Sequence, residues 1–298
     1  MFRIKSVVKI VFTLAVTALM IYALSTLDTE SLIYSLKRVS LQTVLIMVGM
    51  QIFSQFLVTW QWYKISEFAG VPLSFLDMLV VNSQGTIIDS ITPGVKVGGE
   101  VTRALQIKNK SGCSGEQAAA VVAVQKLFSL GVFFLPLLII VFAAPNRIMN
   151  ALKKSGKRNQ EPGRIKRFVL AFLEQVISLR KNKRFFTAQL LLSAAIWLIY
   201  PLKLYILAAH TVEGVGVLFV IVTTYAAYLV AMFTIFPGGL GGFEGTMTGM
   251  LLTAGFSQND AFVVAVLFRF FSFWLVMLFS IAFLFVYKIS AKKINPNS

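Results

Sequence analysis

Five ionisable side chains lie in stretches that are otherwise apolar or glycine-rich: Glu100, Arg103, Lys126, Glu244 and Arg269. Asp89 stands shortly before the first of them. Such a group costs roughly 2.5–3.5 kcal/mol at the centre of a membrane helix, so it faces a partner or a wet cavity. Cations and carboxylates placed together this way suit the reversible holding of a charged head group, with no bond made or broken. The same residues also fit a plainer role, in which Glu100 pairs with Lys126 and Glu244 with Arg269 as structural ion pairs. The two roles are compatible, because a buried pair can also be a gate.

Each glutamate closes a broken stretch of chain. Pro93–Glu100 reads PGVKVGGE and Pro237–Glu244 reads PGGLGGFE, with the Glu seven residues after the Pro in both. A spanning helix tolerates Pro and Gly only where other groups satisfy the freed backbone, and glycine lets backbones approach closely. Pro93, Gly94, Gly98 and Gly99, and then Pro237, Gly238, Gly239, Gly241 and Gly242, are therefore assigned to backbone contact and gating. The echo continues: Gly112–Ser129 lies on Gly255–Ser272 without gaps, with six of 18 positions identical and Lys126 on Arg269. These repeat motifs, at 93–129 and 237–272, are the kind of weak internal symmetry that transporter halves show.

The elements that must position these residues are membrane helices. The chain has 298 residues, 57% hydrophobic and only 13% charged, with mean hydropathy +0.78; soluble domains carry about 25% charge. The fold class is all-α and polytopic, in one integral membrane domain over 1–298. A hydrocarbon core about 30 Å thick needs about 20 helical residues. That measure gives spans at Val7–Leu27, Leu41–Tyr63, Leu76–Ile91, Ala118–Phe142, Phe186–Ala209, Val215–Phe236 and Ala261–Tyr287. The third is short and polar, with Asn82, Ser83, Gln84 and Asp89, and a short apolar piece, Thr246–Phe256, follows the second glycine motif. Both suit half-helices or re-entrant segments, giving about 7–8 transmembrane helices. Arg3, Lys5 and Lys9 precede an uncleaved first helix.

A net charge of +16 on such a chain concerns topology and anionic lipid before nucleic acid, which is not expected as a partner. The link 143–185 carries 12 basic residues and two acids, Glu161 and Glu174, between Arg147 and Arg184. That bias puts the link and the N-terminus in the cytoplasm, in a multi-pass protein of the cell membrane. The apolar stripe Ile165, Phe168, Val169, Phe172, Val176 and Leu179 suits either a surface-lying helix or a solvated linker. Three spans separate the glycine motifs, so they open from opposite sides, as in an inverted repeat. Counting Thr246–Phe256 as a crossing also returns Lys288, Lys292 and Lys293 to the cytoplasm. Trp60, Trp62 and Tyr63 read as an interfacial aromatic belt.

Several chemistries find no support. One cysteine, Cys113, and one histidine, His210, do not make a metal cluster or a nucleophile–base pair, and no G-x-x-x-x-G-K-[ST] loop is present. No cofactor, metal or catalytic residue is expected. Asp28 and Glu30, after the first span, raise a competing class, a polytopic glycosyltransferase using a lipid-linked sugar, although the loop there is short. A membrane partner of a separate lipid-modifying enzyme is a third.

PGGLGGFEG, a Gly about eleven residues past its Glu and an Arg in the next span resemble the lysylphosphatidylglycerol synthase transmembrane-domain family. This is the flippase-like membrane half of the multiple peptide resistance factor, which also exists in stand-alone form. TPGVKVGGEVTRA is similar to the family's other signature, and the two place nearly the whole chain within it. The resemblance implies lipid translocation between leaflets, of an anionic or aminoacylated phospholipid or a polyprenyl-phosphate carrier. The soluble aminoacyl-transferase domain of full-length relatives is not in this sequence, so no synthase activity is expected. Glu100, Arg103, Lys126, Glu244 and Arg269 would line the lipid's route, and a second copy of the chain or a separate lipid-modifying enzyme would be its protein partners.

Overall fold

A computed structural model describes residues 39–92, 97–142, 182–209, 214–234 and 236–294, with isolated positions at 30, 33 and 37. The first expected span, Pro93, Gly94, Asp28, His210 and the link up to residue 181 lie outside the described residues. In chain order the helices are α1 Leu41–Phe68, α2 Phe75–Ile91, α3 Val97–Ser111, α4 Gly115–Phe142 and α5 Lys183–Ala209. They continue as α6 Val217–Phe233, α7 Gly242–Thr253, α8 Gln258–Arg269, a π-helical turn Phe270–Trp274, and α9 Leu275–Ile294. No extended strand occurs among the described residues.

Four stretches are long and apolar enough to cross a membrane: Leu41–Phe68, Gly115–Phe133, Lys183–Ala209 and Gln258–Ser290. At about 1.5 Å per residue, the 28 residues of α1 exceed a core about 30 Å thick. Its faces are inverted relative to a soluble helix. Thr43, Gln51, Ser54, Thr59 and Gln61 are buried, while Leu41, Leu45, Ile52 and Phe53 are exposed. Lipid is as apolar as a leucine, so nothing forces the apolar face inward, and polar groups turn to neighbouring helices instead.

The two stretches read from the sequence as a repeat are built from similar elements. The pair α2–α3 and the pair α6–α7 are each tightly packed elbows, and each leads into a long helix, α4 or α8–α9. Gly112 (φ 71°) and Gly255 (φ 87°) end the preceding helices in the left-handed conformation, which only glycine adopts freely. Two residues on, the Ser114 and Ser257 hydroxyls each accept from the backbone N–H three residues ahead, at 3.1 Å in both halves. These are N-caps that satisfy orphan donors of the next helix. Each half also has its own core. Trp62, Ile65, Met78, Ile107, Val121 and Phe128 form one, and Met47, Leu204, Phe243, Met247, Leu251 and Phe268 the other. Helix α1 contributes to both, Met47 to one and Trp62 and Ile65 to the other.

Some boundaries shift. Helix α6 stops at Phe233, because the chain turns into the glycine elbow before Phe236. The last span runs continuously from Gln258, with a π-turn directly after Arg269. Trp62 is no belt residue: it is 2% exposed, in the core beneath Arg103.

Candidate functional site

In the first half, Arg103 on α3 reaches back to α2. Its Nη1 donates to Asp89 Oδ2 at 3.0 Å and to Glu100 Oε1 at 2.8 Å. Lys126 on α4 meets the same Glu100 oxygen at 2.6 Å. Asp89 also accepts from the Gly99 backbone N–H at 3.0 Å. A Cβ on Gly99 would fall on that carboxylate, so glycine is what lets α3 sit against it. Trp62 places its ring 5.7 Å from the Arg103 guanidinium carbon. Four charges thus share one buried network, with Lys126 its most exposed member at 34% of its side chain.

In the second half, Glu244 lies in the first turn of α7. Its Oε2 accepts from the Gly241 N–H at 2.7 Å, a short capping contact, and its Oε1 is 3.4 Å from Arg269 Nε. The Arg269 guanidinium donates to the Gly238 carbonyl and sits 4.6 Å from the Phe243 ring and 4.2 Å from the Phe273 ring. Phe273 belongs to the π-turn, and its ring occupies the space where a Cβ on Gly238 (φ 64°) would stand. Single π-turns inside α-helices are often found at functional sites. Here the turn delivers an aromatic face to the arginine. Gly239 (φ 76°) packs on Ala231, and Gly242 on Thr234.

The two clusters face one cavity of about 380 Å³. Asp89, Glu100, Arg103 and Lys126 line it from the first half, and Gly238, Gly239 and Arg269 from the second. Glu244 is not on the wall; it stands behind Arg269. Of the residues singled out from sequence, the structure therefore gathers Glu100, Arg103, Lys126 and Arg269 around one space. It places Gly98, Gly241 and Gly242 in the elbows beside it.

The sequence reading missed the uncharged part of the wall. Gln61 on α1 donates to Ser193 Oγ on α5 at 2.6 Å and accepts from Gln125 on α4 at 3.2 Å. This polar bridge ties three spans together at the cavity. Trp197, Tyr200 and Tyr228 complete that side, with Tyr200 and Tyr228 packed edge to face at 5.2 Å. The signal was present: amides inside spans are as conspicuous as charges, yet Gln61 and Gln125 were not singled out as Asn82 and Gln84 were.

Among the described residues no group of three or more His, Cys, Asp or Glu side chains could hold a metal ion.

The profile of the lysylphosphatidylglycerol synthase TM region matches residues 6–152 and 136–280. A UPF0104 membrane protein of Pyrococcus horikoshii is 24% identical over 293 residues, covering 83% of this chain and 87% of its own. A UPF0104 membrane protein of Methanothermobacter thermautotrophicus is 22% identical over 284 residues, covering 80% and 83%. The chain is a multi-pass membrane protein and belongs to the lysylphosphatidylglycerol synthase TM region family.

Proposed function

We propose that this protein moves a lipid with a polar head group between the two leaflets of the membrane. One observation carries the reading: the two repeats face one cavity, the first with the Glu100–Lys126 pair and the second with Arg269 backed by Glu244, at elbows built of glycine. A head group needs polar partners while it crosses, and its tails need none beyond the surrounding lipid. The cavity offers both charge signs, with Lys126 the accessible cation, and the Gln61–Ser193 bridge adds neutral donors and acceptors.

Movement would come from rocking one repeat against the other, which exposes a midplane site to each side in turn. Between the two glycine turns lie α3, α4, α5 and α6. With α3 re-entrant and the other three crossing, the odd number of crossings turns the elbows toward opposite faces, the arrangement of an inverted repeat. The N-terminus and the link 143–185 would then be cytoplasmic; a cysteine placed at Ser155 should resist an impermeant thiol reagent in intact cells, and ready labelling would reverse the orientation.

The direct test is reconstitution of the full chain in vesicles holding head-group-labelled phospholipid, with an impermeant quencher reporting the outer leaflet. Translocation that falls toward the empty-vesicle level in Lys126→Gln supports the reading. No translocation in the wild-type protein, or the wild-type rate in that variant, overturns it. Lipids that co-purify with the protein, identified by mass spectrometry, would name the substrate.

A further inference from the structure

Lys203 lies in α5, six residues before the helix ends, and its exposure is 0%. Its Nζ donates to Gln51 Oε1 on α1 at 2.5 Å and sits 5.2 Å from the ring centroid of Tyr200. No carboxylate pairs with it among the described residues. An ammonium offers three N–H donors, and this pocket provides one acceptor oxygen. The other buried cations, Arg103 and Arg269, each have a carboxylate partner. Lysine is also the cationic side chain that gives up its proton when buried, which arginine does not.

Among the described residues the surroundings contain no other group able to compensate. Helices α1, α4, α6 and α8 pack against α5. On α1, Lys64 and Glu67 pair with each other, 13 and 16 residues from Gln51 and about 20 Å or more along the helix. On α4, Lys126 is bonded to Glu100, and Glu116 is in the first turn. Helix α6 contributes Tyr225, stacked on Trp197, and Tyr228, edge to face with Trp197 and Tyr200. On α8, Arg269 is held by Glu244, and Asp260 lies in the cap of Ser257. Tyr200, one helical turn away, both lines that cavity and holds its ring beside the Lys203 Nζ. Pro201, in the same turn, lacks an N–H and so removes one backbone bond that would otherwise stiffen it.

We propose that Lys203 is a proton site that couples lipid movement to a proton gradient. The inference rests on the transport reading above. When Tyr200 swings aside, the Nζ lone pair takes a proton from cavity water. The resulting ammonium adds one positive charge beneath a cavity whose own cations are already paired. That charge favours entry of a phosphate-bearing head group, a feature shared by phospholipids and polyprenyl phosphates. When the cavity opens to the other side, the proton returns to water, Gln51 keeps one N–H of the neutral amine, and the head group loses its hold.

The test uses the full chain in vesicles of phosphatidylethanolamine and phosphatidylglycerol, with labelled phosphatidylglycerol and a trapped pH dye. With one proton per lipid, a gradient of about one pH unit drives up to about a tenfold asymmetry of label between leaflets. A protonophore should abolish it. Lys203→Met should remove both the asymmetry and the protein-dependent proton flux. Lys203→Met combined with Gln51→Leu, which leaves no unpaired buried amide, should do the same with its thermal midpoint preserved. Wild-type protein that moves lipid with no response to the gradient overturns this proposal alone, as does a gradient response retained in either folded variant. Protein that moves no lipid but conducts protons through Lys203 overturns the transport reading and leaves the proton site standing. Neither movement overturns both.

Discussion

The two halves of the molecule share a scaffold and differ in what they put on it. Thr102 bonds back to the Gly98 carbonyl at 2.9 Å and Thr246 to the Gly242 carbonyl at 2.7 Å, so the elbows match down to a side-chain hydrogen bond. The Glu–cation pair recurs as well. In the first half, however, Asp89 and Arg103 extend the pair into a four-charge network, and Gly99 makes room for it. Counting from the two prolines, the second half has Phe233, Met247 and Phe243 at those places. Met247 and Phe243 are fully buried, and Phe243 stacks on Arg269. The first half is polar and open at Lys126; the second encloses its cation between two aromatic rings. The shared elbows thus set the frame, and substitutions within it decide which half keeps a polar, open wall on the cavity.

That contrast predicts unequal costs. Arg269 is 4% exposed, and removing one member of a buried pair costs about 3–5 kcal/mol, because the other charge is left uncompensated. Arg269→Gln and Glu244→Gln should each lower the thermal midpoint sharply in detergent. The double variant should regain most of the stability without regaining lipid movement. A double variant as unstable as the two singles together would show that the residues do not act as a pair, and one that transports normally would make the pair structural only.

The glycines come next. Gly241 has φ 78° with open space around it, whereas Gly242 is crowded by Thr234. Gly241→Val should therefore fail through backbone strain, of order 1–3 kcal/mol, which no neighbour can relieve. Gly242→Ala should fail through contact, and Thr234→Ala should rescue it. Measuring translocation and insertion for Gly241→Val and Gly242→Ala, each with and without Thr234→Ala, separates the mechanisms; rescue of Gly241→Val by Thr234→Ala would contradict the strain account.

A smaller effect belongs to Lys126. It is partly exposed, and Glu100 keeps Arg103 when it is lost. Exposed pairs contribute about 0–1 kcal/mol, so Lys126→Gln should leave the melting midpoint nearly unchanged while translocation falls. A stability loss as large as that of Arg269→Gln would erase the distinction between the halves.

Much of this was legible in the sequence because it rests on local signals. The glycine elbows, the helices after them and the alignment of Lys126 with Arg269 follow from residue type and spacing, and Glu100–Lys126 and Glu244–Arg269 do meet. What escaped depends on which face of a helix turns inward. Trp62 looked interfacial beside Trp60, yet one is buried and the other exposed, because adjacent residues on a helix point about 100° apart. Gln61, Ser193 and Gln125 are 64 to 132 residues apart in sequence, and no spacing rule joins them. Lys203 was legible as a cation inside the span expected at Phe186–Ala209, and only its lack of a carboxylate partner among the described residues needed the structure.

The smallest predicted difference is also the strictest check on the shared frame. Ser114 and Ser257 cap their helices with the same 3.1 Å contact, each two residues after a glycine of positive φ. Replacing a capping serine by alanine costs about 1 kcal/mol, because one orphan backbone N–H loses its acceptor. The partners differ in one respect. The Gln117 side chain returns a bond to the Ser114 N–H at 3.1 Å, whereas the Asp260 carboxylate bonds to the Ser257 hydroxyl at 2.9 Å. Gln117 therefore goes on satisfying a donor when Ser114 is lost, while Asp260 still favours its helix N-terminus by charge when Ser257 is lost. The two compensations are of similar size, so Ser114→Ala and Ser257→Ala should lower stability equally, to within a few tenths of a kcal/mol, and neither should alter translocation. Equal shifts in chemical-denaturation midpoint would confirm that the repeat extends to its caps. A loss confined to one variant would mean that one half holds its long helix in place by other contacts, and that the symmetry ends at the elbows.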